Sequence, residues 1–480
     1  MYSKFGQFID GKWQASEKGE TYDVINPATE EVIGKASKAS KNDVMKALKS
    51  AEKGFKIWKK TPAWERSAKI RKISELIRER KSILAKWLTL EVGKPLIEGE
   101  GEASGAADIF EWNSEETKRI FGQTVESRFE DTRVQVIYQP VGVVAALVPW
   151  NFPVILASRK ISTALAAGCS VIIKPDVITP GAVMELMNII NDAGIPPGVV
   201  NLLSGDPEQI SNELISSDII KKISITGSTR VGKLILKKAA DKVQRVTMEL
   251  SGHAPFIVFE DSDIEKVTDM AIMSKYRNNG QVCISPTRFY IHESKKDDFT
   301  KTFIEKTKKL KIGDGLKEGT NLGPITTKKR LEEIEKLVEK TKKEGGKILY
   351  GGKRPAGFNK GYFYEPTIID NIKDNFTVMT EEPFGPITPI TTFKKFDEVI
   401  ERANNHACGL AGYICTNSME KAFKASEQLE TGIVAVNTPV VATAETPFGG
   451  IKQTGYGREG GTVGIKDYLN IKYTHLGLSG

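Results

Sequence analysis

An α/β fold built on parallel sheets is the architecture this sequence predicts, and three observations predict it. From Val141 onward, short β-branched apolar runs alternate with helical stretches. Strands read this way when crossover helices bury both faces of a parallel sheet. The same alternation restarts near Gly252. At 480 residues the chain exceeds what one hydrophobic core organises, so two or three domains are expected.

The elements follow in order. The first third carries charge-laced helical stretches at Asn42 to Lys59, Trp64 to Val92 and Glu98 to Arg119. Arg133 to Tyr138 alternates with the period of a strand. Gly142 to Val148 reads as an apolar strand, Val154 to Ala166 as a helix and Ser170 to Ile173 as a short strand. Pro180 to Ala193 is helical, and Val199 to Leu203 and Lys222 to Ile225 are extended. In the second unit Pro255 to Phe259 is a strand, and Asp261-Ser262-Asp263 supplies N-cap chemistry for a helix running to Arg277. Strand Arg288 to Ile291 and helix Lys295 to Leu310 come next. The tail from Lys466 to Tyr473 is extended. It pairs with the Arg133 strand as an arm toward a neighbouring subunit, or it forms an ordinary edge.

Composition narrows the function classes. The balance of 69 basic and 61 acidic residues gives +8, spread along the chain. Lysine-rich stretches such as Lys306 to Lys311 read as solvated helix faces, not as a nucleic-acid surface. The amino terminus has no apolar signal core and no run of 18 apolar residues occurs, so no membrane span is expected. Cys169, Cys283, Cys408 and Cys415 show no C-x-x-C or C-x-C spacing, and the four histidines are scattered, which argues against a zinc cage. Free thiols suit a reducing cytoplasm.

Three residues are candidates for acyl chemistry, set against the plainer readings of a buried inert thiol, a salt-bridged carboxylate and a turn-forming asparagine. Asn278-Asn279-Gly280-Gln281-Val282-Cys283 breaks a helix and presents one thiol past a flexible turn. A thiolate there can attack an aldehyde carbon and hold the resulting thioester. Glu249, 34 residues upstream, ends an apolar strand, where burial raises a carboxyl pKa toward that of a useful base; the alternative is a salt bridge. Asn151 lies in Pro149-Trp150-Asn151-Phe152-Pro153, and the prolines stiffen the turn so that its amide can stabilise an oxyanion.

A nucleotide site is also legible. No G-x-G-x-x-G occurs, but Thr226-Gly227-Ser228-Thr229-Arg230-Val231-Gly232 joins a strand to a helix. Small residues there let a pyrophosphate approach the helix N-terminus. Lys174-Pro175 ends another strand, where an ammonium reaches an adenosine ribose or its phosphate. Glu382-Pro383-Phe384 offers a carboxylate for a ribose diol and a ring for a nicotinamide.

With these residues in place, the chain resembles the aldehyde dehydrogenase superfamily, from Phe8-Ile9-Asp10-Gly11-Lys12-Trp13 to Pro447-Phe448-Gly449-Gly450 and Gly457-Arg458-Glu459. The resemblance implies Cys283 as nucleophile, Glu249 as general base and Asn151 as oxyanion donor. It implies cofactor contacts at Trp150, Lys174, Gly227, Ser228, Glu382 and Phe384. The implied fold is a Rossmann-like cofactor domain (1–118 and 140–251), a catalytic α/β domain (252–460) and a small β arm (119–139 and 461–480) that builds a homodimer or homotetramer. Within the superfamily the chain is most similar to succinate-semialdehyde dehydrogenases, where Arg159 and Arg277 match positions that hold the distal carboxylate; a guanidinium fork suits that group, and pairing with a protein carboxylate is the alternative. Thr443 falls near a serine that assists there. Other aldehydes, including glutarate semialdehyde, glyceraldehyde, lactaldehyde and aliphatic ones, remain open, and a non-catalytic oligomer is disfavoured by the intact triad.

The departures from the superfamily pattern matter too. Ser285 stands where some relatives carry a second, redox-switching cysteine. Ser251 replaces a usual glycine beside Glu249, and His253 is read as structural. Asp176-Val177 replaces the usual (Ala/Ser)-Glu. Val177 removes the carboxylate that grips the adenosine ribose and repels a 2′-phosphate, which leans the cofactor toward NADP over NAD; Asp176 could take over the diol.

Overall fold

The computed structural model describes residues 2–478. Residues 1, 479 and 480, at the outer ends of the segments expected for the cofactor domain and the arm, lie outside it.

Val143–Leu147 and Ser170–Lys174 are buried along their whole length, and pair in parallel. Their apolar, β-branched composition satisfies a strand covered on both faces. They sit inside a seven-stranded sheet in the order Arg245–Glu249, Ile220–Thr226, Val143–Leu147, Ser170–Lys174, Val200–Leu202, Gln7–Ile9, Lys12–Gln14. The first five are parallel and the last two form an antiparallel edge. From Val143–Leu147 the chain winds one way through Ser170–Lys174, then the other way through Ile220–Thr226. The crevice between those directions opens at the carboxyl ends of Val143–Leu147 and Ile220–Thr226, where ligands bind in open α/β sheets.

The second seven-stranded sheet runs Lys347–Tyr350, Thr367–Asp370, Ile387–Phe393, Pro286–His292, Ala254–Val258, Ala411–Cys415, Ile433–Val436. All its pairings are parallel except that of the Lys347–Tyr350 edge. The helix between the Leu147 and Ser170 strands, Pro153–Ala167, is almost wholly buried. It packs against Leu96–Glu116, whose alanines and glycines allow close approach.

The tail strand Leu469–Gly477 pairs antiparallel with Thr132–Pro140 along its whole length, and Gln123–Val125 completes a three-stranded sheet. Thr132–Pro140 alternates between exposed and half-buried with no fully buried residue. Ile471 and Tyr473 are 71% and 70% exposed, so this sheet builds no core within one chain.

Three local expectations are corrected. Trp64 to Val92 is two helices, Ala63–Glu79 and Lys81–Val92, because Arg80 leaves helical geometry at φ −105°, ψ 18°, with no proline or glycine to announce it. The lysine run at 306–311 is not one helix face: the helix ends at Thr307, and Lys306 is held by Glu265 and Asp269 at 3.0 and 2.6 Å. The tail begins as a 3₁₀ turn, Gly464–Tyr468, and becomes extended at Leu469 after Tyr468 is buried.

Candidate active site

A cleft of about 870 Å³ opens at the switch point of the first sheet and is closed on its other side by the second unit. Trp150, Asn151, Asp176, Gly227, Ser228, Cys283, Glu382 and Phe384 all line it. Residues more than 230 positions apart in sequence thus share one cavity.

Cys283 reaches the cleft because the preceding helix, Ile264–Tyr276, stops abruptly. Asn278, Asn279 and Gly280 take left-handed backbone angles, with φ of 46°, 54° and 72°. Asparagine is among the few non-glycine residues that tolerate this region. At Gly280 a Cβ would lie 2.3 Å from the Gly385 carbonyl, so the turn must cross the Glu382–Pro386 loop with no side chain. The Cys283 thiol is pushed up to about 12 by burial and by the charges of Glu382 and Glu249. The backbone N–H groups of Cys283 and Ile284 point at the sulfur and act the other way.

Asn151 is buried, and its side-chain amide donates to the Gln281 carbonyl at 3.1 Å, two residues before the thiol. Its own carbonyl accepts from Lys94 Nζ at 2.9 Å and Asn278 Nδ2 at 3.1 Å.

Glu249 ends the Arg245–Glu249 strand and is 2% exposed. The salt-bridge alternative is not met: neither carboxylate oxygen has a hydrogen-bond partner. Burial, then the neighbouring Glu459 carboxylate, raise its pKa well above the ordinary range; Lys160, Arg458 and Arg159 pull it down. Glu459 itself is ion-paired with the fully buried Lys160, which also donates to Ser224 Oγ at 3.2 Å. Neither Lys160 nor Glu459 was singled out as a site residue from the sequence. One signal was available: Arg159-Lys160 are the only charges in the helix Pro153–Ala167, whose other residues are nearly all buried.

The Thr229–Ala240 helix points its N-terminus at the cleft, capped by Ser228 Oγ, which accepts from Val231 N at 3.3 Å. A Cβ on Gly227 would meet nothing within 4 Å, so the turn faces open space wide enough for a phosphate to approach the first helical N–H groups. Trp150 and Phe384 meet edge to face at 5.5 Å. Burial holds the Glu382 carboxyl up at about 8, against Arg330, the Ser251 hydroxyl and the Gly252 N–H. Ser251, the departure beside Glu249, therefore faces Glu382 and also accepts from Thr229 N at 3.4 Å.

At the other end of the cleft, Asp176 lines the wall while Val177 is half-buried outside it. Asp176 Oδ1 accepts from Ile178 N at 3.0 Å. Lys174 is buried and donates to the Pro175 carbonyl at 2.9 Å, behind the lining. These features suit a dinucleotide: a helix N-terminus for its pyrophosphate and a carboxylate toward each end.

Arg159 lies in charge range of the thiol but outside the cleft lining, and Arg277 stands against Phe152. Arg159 is 4% exposed, its Nη1 has no partner, and Nη2 reaches only the Thr443 carbonyl at 3.5 Å. The charges acting on it are those of Glu459, Glu249 and Cys283. Arg277 is exposed, with its guanidinium 4.7 Å from the Phe152 ring centroid. Among the described residues neither has a carboxylate within ion-pair distance. The Thr443 hydroxyl meets that of Thr446 at 3.2 Å. His253 is fully enclosed, with Nδ1 2.6 Å from Thr287 Oγ1.

Comparison with known proteins matches this geometry. The sequence pattern of the aldehyde dehydrogenase family fits residues 13–474. A glutarate-semialdehyde dehydrogenase of Pseudomonas putida is 42% identical over 97% of this chain and 96% of its own. An NADP(+) succinate-semialdehyde dehydrogenase of Escherichia coli is 40% identical over 98% and 97%. The crystal structure of an E. coli NADP-dependent enzyme superimposes with a TM-score of 0.97 at 39% identity, covering 100% of this chain and 99% of that one. Agreement in fold and sequence over nearly the whole length leaves no large segment unaccounted for, and the chain belongs to the aldehyde dehydrogenase family, whose members oxidise aldehydes with NAD(P)+.

Proposed function

We propose that the substrate is a short aldehyde with a distal carboxylate, succinate semialdehyde, oxidised to the dicarboxylic acid at Cys283. The observation that carries this reading is the buried guanidinium of Arg159, in charge range of the thiol, which makes no ion pair among the described residues and reaches only the Thr443 carbonyl at 3.5 Å. A buried guanidinium donor without an acceptor is costly unless a ligand supplies one. A carboxylate bound there, with Arg277 at the outer side, would satisfy it. The E. coli relative named for succinate semialdehyde supports the same reading. Glutarate semialdehyde is the second reading, favoured by the Pseudomonas putida relative.

In this reading each group acts on a stated atom. Cys283 Sγ attacks the aldehyde carbon as the thiolate, its proton having been released to solvent. Asn151 Nδ2 and the Cys283 N–H hold the developing oxyanion. When bound in the cleft, NAD(P)+ would supply the hydride acceptor. Glu382 and the N-terminus of the Thr229–Ala240 helix orient the dinucleotide. Glu249 then removes a proton from water, which attacks the thioester carbon and frees the acid and the thiol.

Replacing Arg159 or Arg277 by leucine should lower kcat/KM for succinate semialdehyde by about 10- to 100-fold, the worth of ~1.5–3 kcal/mol for a charge-assisted hydrogen bond. Propanal should be unaffected within about threefold. Equal losses on both substrates, or wild-type enzyme that prefers propanal, would overturn the carboxylate clamp.

For the cofactor, the lean toward NADP rested on Val177, but it is Asp176 that faces the cleft. A 2′-phosphate would meet that carboxylate. Asp176→Ser should therefore raise the NADP+/NAD+ ratio of kcat/KM about tenfold or more. An unchanged ratio removes Asp176 from cofactor choice.

The arm sheet with its exposed Ile471 and Tyr473 fits a homodimer or homotetramer, since a second copy would cover that face. No helix among the described residues is long and apolar enough to cross a membrane. The four cysteines are unpaired, as a reducing compartment such as the cytoplasm requires.

A further inference from the structure

We propose that Lys94 positions the Asn151 amide, acting through the loop's backbone without touching substrate. The proposal rests on the reading of Asn151 as oxyanion donor. Lys94 lies between the helices Lys81–Val92 and Leu96–Glu116, far from the cleft lining in sequence and absent from it in space. Its ammonium is 1% exposed, yet it is fully engaged. It pairs with Glu102 Oε2 at 2.5 Å, donates to the Asn151 carbonyl at 2.9 Å and stands 3.7 Å from the centroid of the Phe152 ring.

Glu102 extends the same brace. Its other oxygen accepts from Val154 N at 2.9 Å and Ile155 N at 3.2 Å, the open N-terminus of the Pro153–Ala167 helix. One buried ion pair therefore grips the loop on both sides of Phe152: Lys94 at Asn151 and Glu102 at Val154. Asn278 Nδ2 adds a second donor to the Asn151 carbonyl from the turn that carries the thiol. With its carbonyl held twice, the Asn151 backbone is fixed in place, which keeps its side-chain amide within reach of the Gln281 carbonyl two residues before Cys283. A buried charge pair is seldom the most stabilising filling for such a space. Directing both charges at one loop gives it a role in fixing geometry.

The test is a double-mutant cycle on kcat with Lys94→Met and Asn151→Ala, alone and together. The expected result is a kcat about 10- to 100-fold lower in Lys94→Met, with aldehyde KM and cofactor Kd within about threefold of wild type. Asn151→Ala should lose about 10²- to 10³-fold. The double variant should be no worse than Asn151→Ala within about threefold, because Lys94 has nothing left to position. Multiplying losses would leave Lys94 a purely structural residue and overturn the proposal. Wild-type kcat in Asn151→Ala would remove the oxyanion assignment and the proposal with it, which separates the two failures. Should Lys94→Met not fold, Lys94→Met with Glu102→Gln removes both charges, keeps an acceptor for Val154 and Ile155, and enters the same cycle.

Discussion

Replacing Cys283 by alanine will take aldehyde oxidation to background, below about one part in 10⁴ of wild type, because among the described residues it is the one thiol lining the cleft. Cofactor binding should persist, since the proposed nucleotide contacts, the Gly227–Ser228 turn and Glu382, are left intact. Cys169, Cys408 and Cys415 do not line the cleft, so none can substitute. The measurement is steady-state NAD(P)H formation beside equilibrium binding of the cofactor. Turnover above a few per cent with intact binding would move the chemistry off Cys283. In the cofactor-free protein the thiol, held up at about 12, is protonated at pH 7. Its alkylation by iodoacetamide should therefore quicken about tenfold per pH unit through the neutral range.

Replacing Glu249 by glutamine separates the two half-reactions. Acylation should still yield one NAD(P)H per active site in a burst, while steady-state turnover falls about 10²- to 10⁴-fold, the range for losing one general base. The sign of the pH dependence follows from the raised pKa: Glu249 is protonated and idle below it, and becomes a base as pH rises through it. Deacylation in the wild type should therefore rise with pH well above the ordinary carboxylate range and level off once Glu249 is ionised. Glutamine should flatten that limb. A full steady-state rate in Glu249→Gln, or an unaltered pH profile, assigns the water's activation to another group. Because Glu459 raises the Glu249 pKa, Glu459→Gln should shift the limb to lower pH.

What the sequence showed was local. The alternation after Val141 and again after Gly252 gave two parallel sheets, because a strand buried on both faces must be apolar along its length. The Asn-Asn-Gly turn announced the thiol, since few residues accept left-handed angles. The Gly-Ser-Thr turn announced a helix N-terminus for the same kind of reason.

Other features were invisible because they depend on partners distant in the chain. Lys94 looks like one more lysine near a helix start until Asn151 arrives 57 residues later. Lys160 finds Glu459 only after 299 residues, and the two act in opposite directions on the Glu249 pKa that burial raises. Asp176 and Val177 are adjacent, and no periodicity tells which faces the cleft; the strand end at Lys174 decides that by how it turns out of the sheet. The sequence by itself named the candidates for acyl chemistry and the segments that become sheet. Tertiary structure alone decided their burial and their charged neighbours, because desolvation and Coulomb energy depend on distance in space, and spacing along the chain does not encode it.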